Sequence, residues 1–153
     1  MEFDHAFSVA APLDAVWATM TDVERVAPCV PNTRITGPAG EGSYNIEITA
    51  VFGPLTVTAA GNITLAERDD AVHRQVLKVV ASDPDGDTLA DATLTIVLTQ
   101  SASTTDAAVH SSVEVGGIAT FVGKETLNEA AQKTLTTFAA NLAALLKEAP
   151  GAR

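Results

Sequence analysis

The chain has 153 residues, of which 46% are hydrophobic and 18% charged, and this length fits one domain with a buried core. Nine Lys and Arg against nineteen Asp and Glu give a net charge of -10, which excludes the basic surface that nucleic-acid binding requires and disfavours docking on an anionic membrane by charge alone. The single cysteine, Cys29, excludes an internal disulfide and a cysteine-cluster metal site.

The N-terminal part predicts one strand followed by two short helices. Apolar and polar residues alternate over residues 3–9, which is typical of a half-buried strand. Pro12 suits the first turn of a short helix, and we expect Trp17 to pack that helix on the sheet. Asp22 is predicted to cap a second short helix, which Pro28 ends.

The middle of the chain predicts about six strands, and the C-terminal part predicts one long helix. From about residue 33 to 116 the sequence alternates with a period of two between short turns, so the connections are hairpins and the sheet is antiparallel. Over residues 124–148 apolar side chains recur at spacings of three and four. This apolar stripe consists of Leu127, Ala131, Leu135, Phe138, Leu142, Leu145 and Leu146.

This order of elements predicts an α+β fold in which a curved antiparallel sheet wraps around the terminal helix. The sheet has one face to bury, and the long helix is the large apolar element that remains to cover it. Small residues dominate the predicted inner face (Ala50, Ala59, Ala90, Ala92 and Ala107). A hollow of ~300 Å³ left empty there would cost roughly 7 kcal/mol, so we expect it to hold an apolar molecule or loosely ordered water.

Several short segments carry a resemblance to a known family. They are Ala11-Pro12 with Val16-Trp17, residues 21–24, residues 27–31 (Ala-Pro-Cys-Val-Pro), the turn at residues 52–55, Gly61 and Gly116-Gly117. With them the chain resembles the CoxG family of carbon monoxide dehydrogenase subunits, within the START-like, Bet v 1-like (SRPBCC) helix-grip superfamily. The family usually has glycine after the second proline of residues 27–31, where this chain has Asn32. The resemblance implies a single domain over residues 1–148 and a short tail over residues 149–153.

The resemblance also implies a function. It implies a non-enzymatic protein that carries a hydrophobic small molecule and needs no other cofactor. The expected ligand is a quinone such as menaquinone, or a similar isoprenoid or lipid. Such a protein would recruit or serve a molybdenum hydroxylase of the carbon monoxide dehydrogenase type at the respiratory membrane. Because the sequence shows neither a secretory leader nor an apolar run of membrane-spanning length, we expect the protein in the cytoplasm. The resemblance adds a peripheral position at the inner face of the cytoplasmic membrane.

Two alternatives to the carrier stay open on the same fold. One is a polyketide cyclase or dehydratase-like enzyme, for which His5 and Tyr44 are the candidate acid and base. The other is an adaptor that docks at the membrane and uses the fold only as a scaffold.

The residues that would line a ligand site are aromatic and aliphatic. We predict Tyr44, Phe52, Leu55, Val57, Leu94, Phe121, Leu127, Ala131, Leu135 and Phe138. The turn at Gly53-Pro54 and the loop over residues 117–123 are the expected entrances.

The remaining polar features have plainer interpretations. His5, His73 and His110 lie on three predicted strands, and the sequence contains no paired-ligand motif, so we expect structural or surface roles and no metal site. Cys29 has apolar neighbours, which favours a packing role. The acidic run over residues 83–87 lacks the closing glutamate of a calcium loop and predicts a solvated hairpin tip.

Overall fold

The computed structural model describes residues 1–40, 42–52, 54–82, 86–116 and 123–148. Within these ranges it also describes the side chains, except those of residues 50–52, 55, 57, 147 and 148.

The order of elements confirms the predicted one. The strands are β1 (Glu2–Val9), β2 (Thr33–Gly40), β3 (Ser43–Phe52), β4 (Leu55–Asp69), β5 (Arg74–Ser82), β6 (Thr88–Ser101) and β7 (Thr104–Val115). The helices are α1 (Leu13–Met20), α2 (Val23–Val26) and α3 (Lys124–Glu148), and a 3-10 turn (Ala27–Cys29) follows α2.

The two short helices begin and end where their local chemistry requires. Helix α1 starts directly after Pro12, whose φ of -64° suits a helix entrance. Asp22 precedes α2, and its carboxylate accepts a hydrogen bond from the backbone N–H of Arg25 at 3.3 Å, as predicted for a cap. Pro28 lies in the 3-10 turn that ends this helical segment.

All seven strands form one antiparallel sheet, in the order β1-β7-β6-β5-β4-β3-β2. Apart from β1, which joins beside β7, each strand pairs with its neighbour in sequence, because the turns between them are short. Register shifts interrupt the pairing in β2, in β4 between Leu65 and Glu67, and in β5 between Ala81 and Ser82. Such bulges bend a strand and increase its twist, which suits a sheet curved around a helix.

The core closes at one end of the concave face. There α1 and the second half of α3 cover the sheet, and Phe7 of β1 meets Phe138 of α3 edge to face, with ring centroids 5.6 Å apart. Leu142, one turn further along α3, is completely buried. Trp17 is also buried in this cluster, which confirms that it packs α1 on the sheet.

Three residues that bear on the family resemblance have clear backbone roles. A Cβ on Gly61 would lie 2.3 Å from the carbonyl oxygen of Val80, and one on Gly116 would lie 2.6 Å from that of Thr88. Asn32, where the family usually has glycine, has a φ of 60°. Asparagine tolerates this left-handed conformation better than most residues, so the replacement keeps the turn.

Candidate functional site

The apolar stripe of α3 is buried unevenly along its length. Phe138 and Leu142 in the second half are buried, whereas Leu127, Ala131 and Leu135 in the first half are half-buried. All five follow at spacings of three or four and therefore lie on one face of the helix. Leu135 and, in the second half, Leu145 and Leu146 are half-buried but pack against the main core, so Leu127 and Ala131 are the stripe residues at the start of α3 that lie apart from this core.

The sheet shows the same contrast. One cross-strand row of paired residues, here called the half-buried row, runs over β3, β4, β5, β6 and β7 and consists of Tyr44, Ile63, Val79, Ala92 and Val113. Every member of this row is half-buried. By contrast, Gln75, Ile96 and Val109, which pair with one another four positions further along β5, β6 and β7, are buried.

The half-buried row lies on the concave face. Leu77 belongs to the closed core, and Leu94 packs against it. On their strands Leu77 precedes Val79 by two positions and Leu94 follows Ala92 by two positions. Since side chains two residues apart on a strand share a face, Val79 and Ala92 face the same side as these leucines. The open part of the concave face and the start of the α3 stripe together form the candidate ligand site.

The predicted lining residues fall into two groups. The structure describes Tyr44 and Leu94 on the sheet and Leu127, Ala131, Leu135 and Phe138 on α3. Of these, Phe138 contributes to the closed end of the concave face and the others are half-buried. The side chains of Phe52, Leu55 and Val57, and the whole of Phe121, lie outside the described residues, as do Gly53 and residues 117–122 of the expected entrances.

Two open grooves adjoin this region. One, of about 400 Å³, lies between the helical segment α1–α2 and strands β3 and β4, with Tyr44, Leu65 and Arg68 among its walls. The other, of about 500 Å³, lies between the start of β1 and the start of α3, with Phe3 and Asn128 among its walls. Both are open surface grooves rather than enclosed pockets.

The two candidate acid–base residues are bound to different partners. The Tyr44 hydroxyl donates to Glu24 Oε1 at 3.1 Å, and this hydrogen bond, with some burial, raises the pKa of the phenol. His5 Nε2 lies 2.9 Å from Asn128 Oδ1. Four strands separate β1 from β3 in the sheet, so sequence alternation alone does not bring the two side chains together.

The three histidines lie in three different settings. His5 is on the concave face and His110 is exposed on the opposite face, where Asp4 and Glu2 bind its two ring nitrogens at 2.7 and 2.8 Å. His73 lies in the turn between β4 and β5, and its ring meets Trp17 edge to face at 5.3 Å. Among the described residues, no group of three His, Cys, Asp or Glu side chains is placed to hold a metal ion.

Cys29 is a packing residue, as predicted. It is buried in the main core, and burial raises the pKa of its thiol, although the charge of Arg25 opposes this shift. Its backbone carbonyl accepts a hydrogen bond from Asn141 Nδ2 of α3 at 2.8 Å. Residues 27–31 therefore link the short helices to the long one.

Three of the polar contacts that escape sequence reasoning involve Trp17 or helix α3. These are Trp17 Nε1 to Asp70 Oδ1 at 2.8 Å, Asn141 to Cys29, and His5 to Asn128. Each joins residues more than fifty positions apart, so no local pattern signals it.

In the described part of the chain no helix is long and apolar enough to cross a membrane.

The fold has many solved relatives at low sequence identity. A conserved protein from Geobacillus kaustophilus superposes with a TM-score of 0.84 at 17% identity, covering 97% of this chain and 96% of that one. A START superfamily protein from Mycobacterium smegmatis gives a TM-score of 0.64 at 14% identity, covering 96% and 97%. An aromatase/cyclase from Streptomyces sp. R1128 gives 0.56 at 19% identity, covering 97% and 92%.

These likenesses confirm the START-like helix-grip fold, and the sequence comparisons add the family. A search of curated proteins finds no match. The model of one family, however, matches residues 6–147, nearly the whole chain. The chain therefore belongs to the CoxG family of carbon monoxide dehydrogenase subunits.

Proposed function

We propose that this protein binds a hydrophobic small molecule between the half-buried row and the first half of α3. The ligand is a quinone or a similar isoprenoid or lipid. In this proposal the protein catalyses no reaction itself and serves a molybdenum hydroxylase of the carbon monoxide dehydrogenase type at the respiratory membrane.

The observation that carries the proposal is the half-buried row itself. Each of five neighbouring strands has a member of this row that is incompletely covered, and four of these members are aliphatic, whereas Gln75, Ile96 and Val109 nearer the closed end are buried. Covering apolar surface is worth about 25 cal/mol per Å². A flat or elongated apolar molecule that completes this coverage is therefore the ligand class that the surface favours.

The composition of the row supports binding rather than chemistry. General acid–base catalysis requires a titratable side chain at the reacting atoms. Within the row Tyr44 is the ionisable member, and its hydroxyl is bonded to Glu24, with a pKa above the ordinary phenol value. A bound molecule would meet mainly aliphatic side chains there.

The family supports the proposed partner. CoxG is a subunit of carbon monoxide dehydrogenase, and this membership favours an accessory role beside a redox enzyme. A carrier of a quinone would fit that role, because electrons from such an enzyme need an acceptor.

The ligand is tested by native mass spectrometry of the protein as purified, followed by extraction with organic solvent. We expect the intact mass to exceed that of the chain by one apolar molecule, which the extract then identifies. Ala131→Trp should fill the site and remove the adduct, whereas Ala140→Trp, at an exposed position of the same helix, should keep it. An unmodified chain that carries nothing, and that also fails to bind added decylubiquinone, would refute the proposal.

The partner is tested separately by capture of a molybdenum hydroxylase on the immobilised protein. If the complex depends on the ligand, the Ala131→Trp variant should capture less enzyme than the Ala140→Trp variant. Equal capture by both would favour an adaptor whose docking does not involve the ligand.

A further inference from the structure

His5 is a polar residue in an otherwise apolar stretch of the concave face. It alternates with Phe3, Phe7 and Val9, which are all buried, and its pairing partner on β7 is the buried Val109. Its side chain therefore extends from the face that α3 covers. The His5 ring itself stacks against Phe3, with centroids 6.2 Å apart.

The hydrogen bond of this ring bears on which nitrogen carries the proton of the neutral form. Nε2 lies 2.9 Å from Asn128 Oδ1, and an amide oxygen only accepts. With Asn128 Oδ1 as the acceptor, Nε2 of the neutral ring carries the proton and Nδ1 is left as an acceptor. Asn128 follows directly after Leu127, the half-buried residue that begins the α3 stripe.

Nδ1 is buried and has no hydrogen-bond partner in the part of the chain that the structure describes. Buried acceptors without a partner are rare in folded proteins, because their lost hydration is not compensated. The hydroxyl of Ser111 is a second polar group on the same face, since Ser111 pairs with Phe3 and with Leu94. The border of the concave face at β1 thus carries an acceptor that needs a donor, and the face also holds the buried amide of Gln75, which has no partner among the described residues.

We propose that His5 Nδ1 accepts a hydrogen bond from a hydroxyl group of the bound molecule. This inference rests on the proposed function and specifies its ligand: an apolar molecule with a hydroxyl-bearing ring or head group. It implies preference for a quinol over the corresponding quinone, because a quinone offers acceptors alone. Asn128 is the positioning residue, since its amide oxygen keeps the ring proton on Nε2.

The test compares three probes with similar ring systems: naphthalene, 2-naphthol and 1,4-naphthoquinone. Their dissociation constants are measured by calorimetry for the unmodified chain, His5→Phe and, as a control on the opposite face, His110→Gln. We expect His5→Phe to weaken 2-naphthol binding by about 2–10-fold, the usual effect of one hydrogen bond, and to leave the other two probes unchanged. The control should match the unmodified chain for all three.

Other outcomes have different meanings. Equal losses of affinity for all three probes would assign His5 to packing and overturn the inference. A loss of affinity confined to the quinone would also overturn it, because Nδ1 would then be a donor. If neither these probes nor decylubiquinone binds the unmodified chain, the proposed function itself fails; if decylubiquinone binds and 2-naphthol does not, the inference about His5 is overturned. Should His5→Phe not fold, ¹⁵N NMR of the unmodified chain still decides: 2-naphthol must shift the Nδ1 resonance of His5 and naphthalene must not.

Discussion

His110 couples the stability of the β1–β7 pair to pH. Both of its ring nitrogens contact carboxylates, and both can donate only when the ring is protonated. The hydrogen bonds to Asp4 and then Glu2 raise its pKa above the usual 6.5. A raised pKa in the folded state adds stability that is fully present below the unfolded value and is lost as the pH rises through the folded value.

We therefore expect the melting temperature to fall as the pH is raised from 6.5 through the folded pKa of His110. Because the site is exposed, salt should reduce this slope. His110→Gln should flatten the slope in thermal melts over this range. A slope that is the same in the variant would show that another group titrates there.

Gly61 is required by the close approach of β5. A Cβ at this position would lie 2.3 Å from the Val80 carbonyl oxygen and 3.4 Å from Ala81 Cα, and backbone atoms cannot move aside cheaply. Gly61→Ala should lower the free energy of unfolding by about 1–3 kcal/mol in urea titrations. Gly37→Ala is the matched control, since nothing lies within 4 Å of its Cβ, and it should change stability by less than about 0.5 kcal/mol. Similar losses in both would refute the steric explanation.

At the scale of the element, α3 has a structural half and a half that the proposed function gives to the ligand. Leu142 is completely buried, so Leu142→Ala should cost about 2–5 kcal/mol of unfolding free energy. Leu127 is half-buried, and Leu127→Ala should cost about 1 kcal/mol. Urea denaturation of the ligand-free protein measures both. Equal losses would mean that the first half of α3 is packed as tightly as the second.

The elements are predictable from the sequence because their signals are local. The period of two over residues 3–9 and the spacing of three and four over residues 124–148 predict β1 and α3, and the structure confirms both. The half-buried row is not predictable in this way, because it depends on the register of five strands, and bulges such as that between Leu65 and Glu67 alter this register. The pattern places Ala92 on the inner face, but nothing in its sequence neighbourhood shows how well α3 covers it.

At the scale of the whole molecule, the closed end provides the stability that lets another region stay open. The main core cluster lies around Trp17, Phe138 and Leu142 and is joined by the link from Asn141 to the Cys29 carbonyl, and a smaller buried cluster contains Ala59, Ala81 and Leu89. None of these contacts involves the half-buried row. A domain built this way can leave one part of its concave face incompletely covered and still unfold cooperatively, because the stabilising contacts lie elsewhere.

This division predicts how a ligand changes the stability of the protein. A ligand that binds the folded state alone adds RT ln(1 + [L]/Kd), about 2.7 kcal/mol at one hundred times Kd. For a chain of 153 residues this corresponds to a rise in melting temperature of roughly 5–11 °C. Delipidated protein titrated with decylubiquinone in a thermal-shift assay measures it.

The variants at α3 make this measurement specific to the site. The melting temperature of Ala131→Trp should lie within a few degrees of that of the delipidated unmodified chain, because the new side chain fills space that the core does not use. Added quinone should no longer raise it. Ala140→Trp, which lies on the exposed side of α3, should respond fully. If the quinone raises the melting temperature of both variants equally, it binds outside the space between the half-buried row and the first half of α3, since a side chain placed in that space has not displaced it.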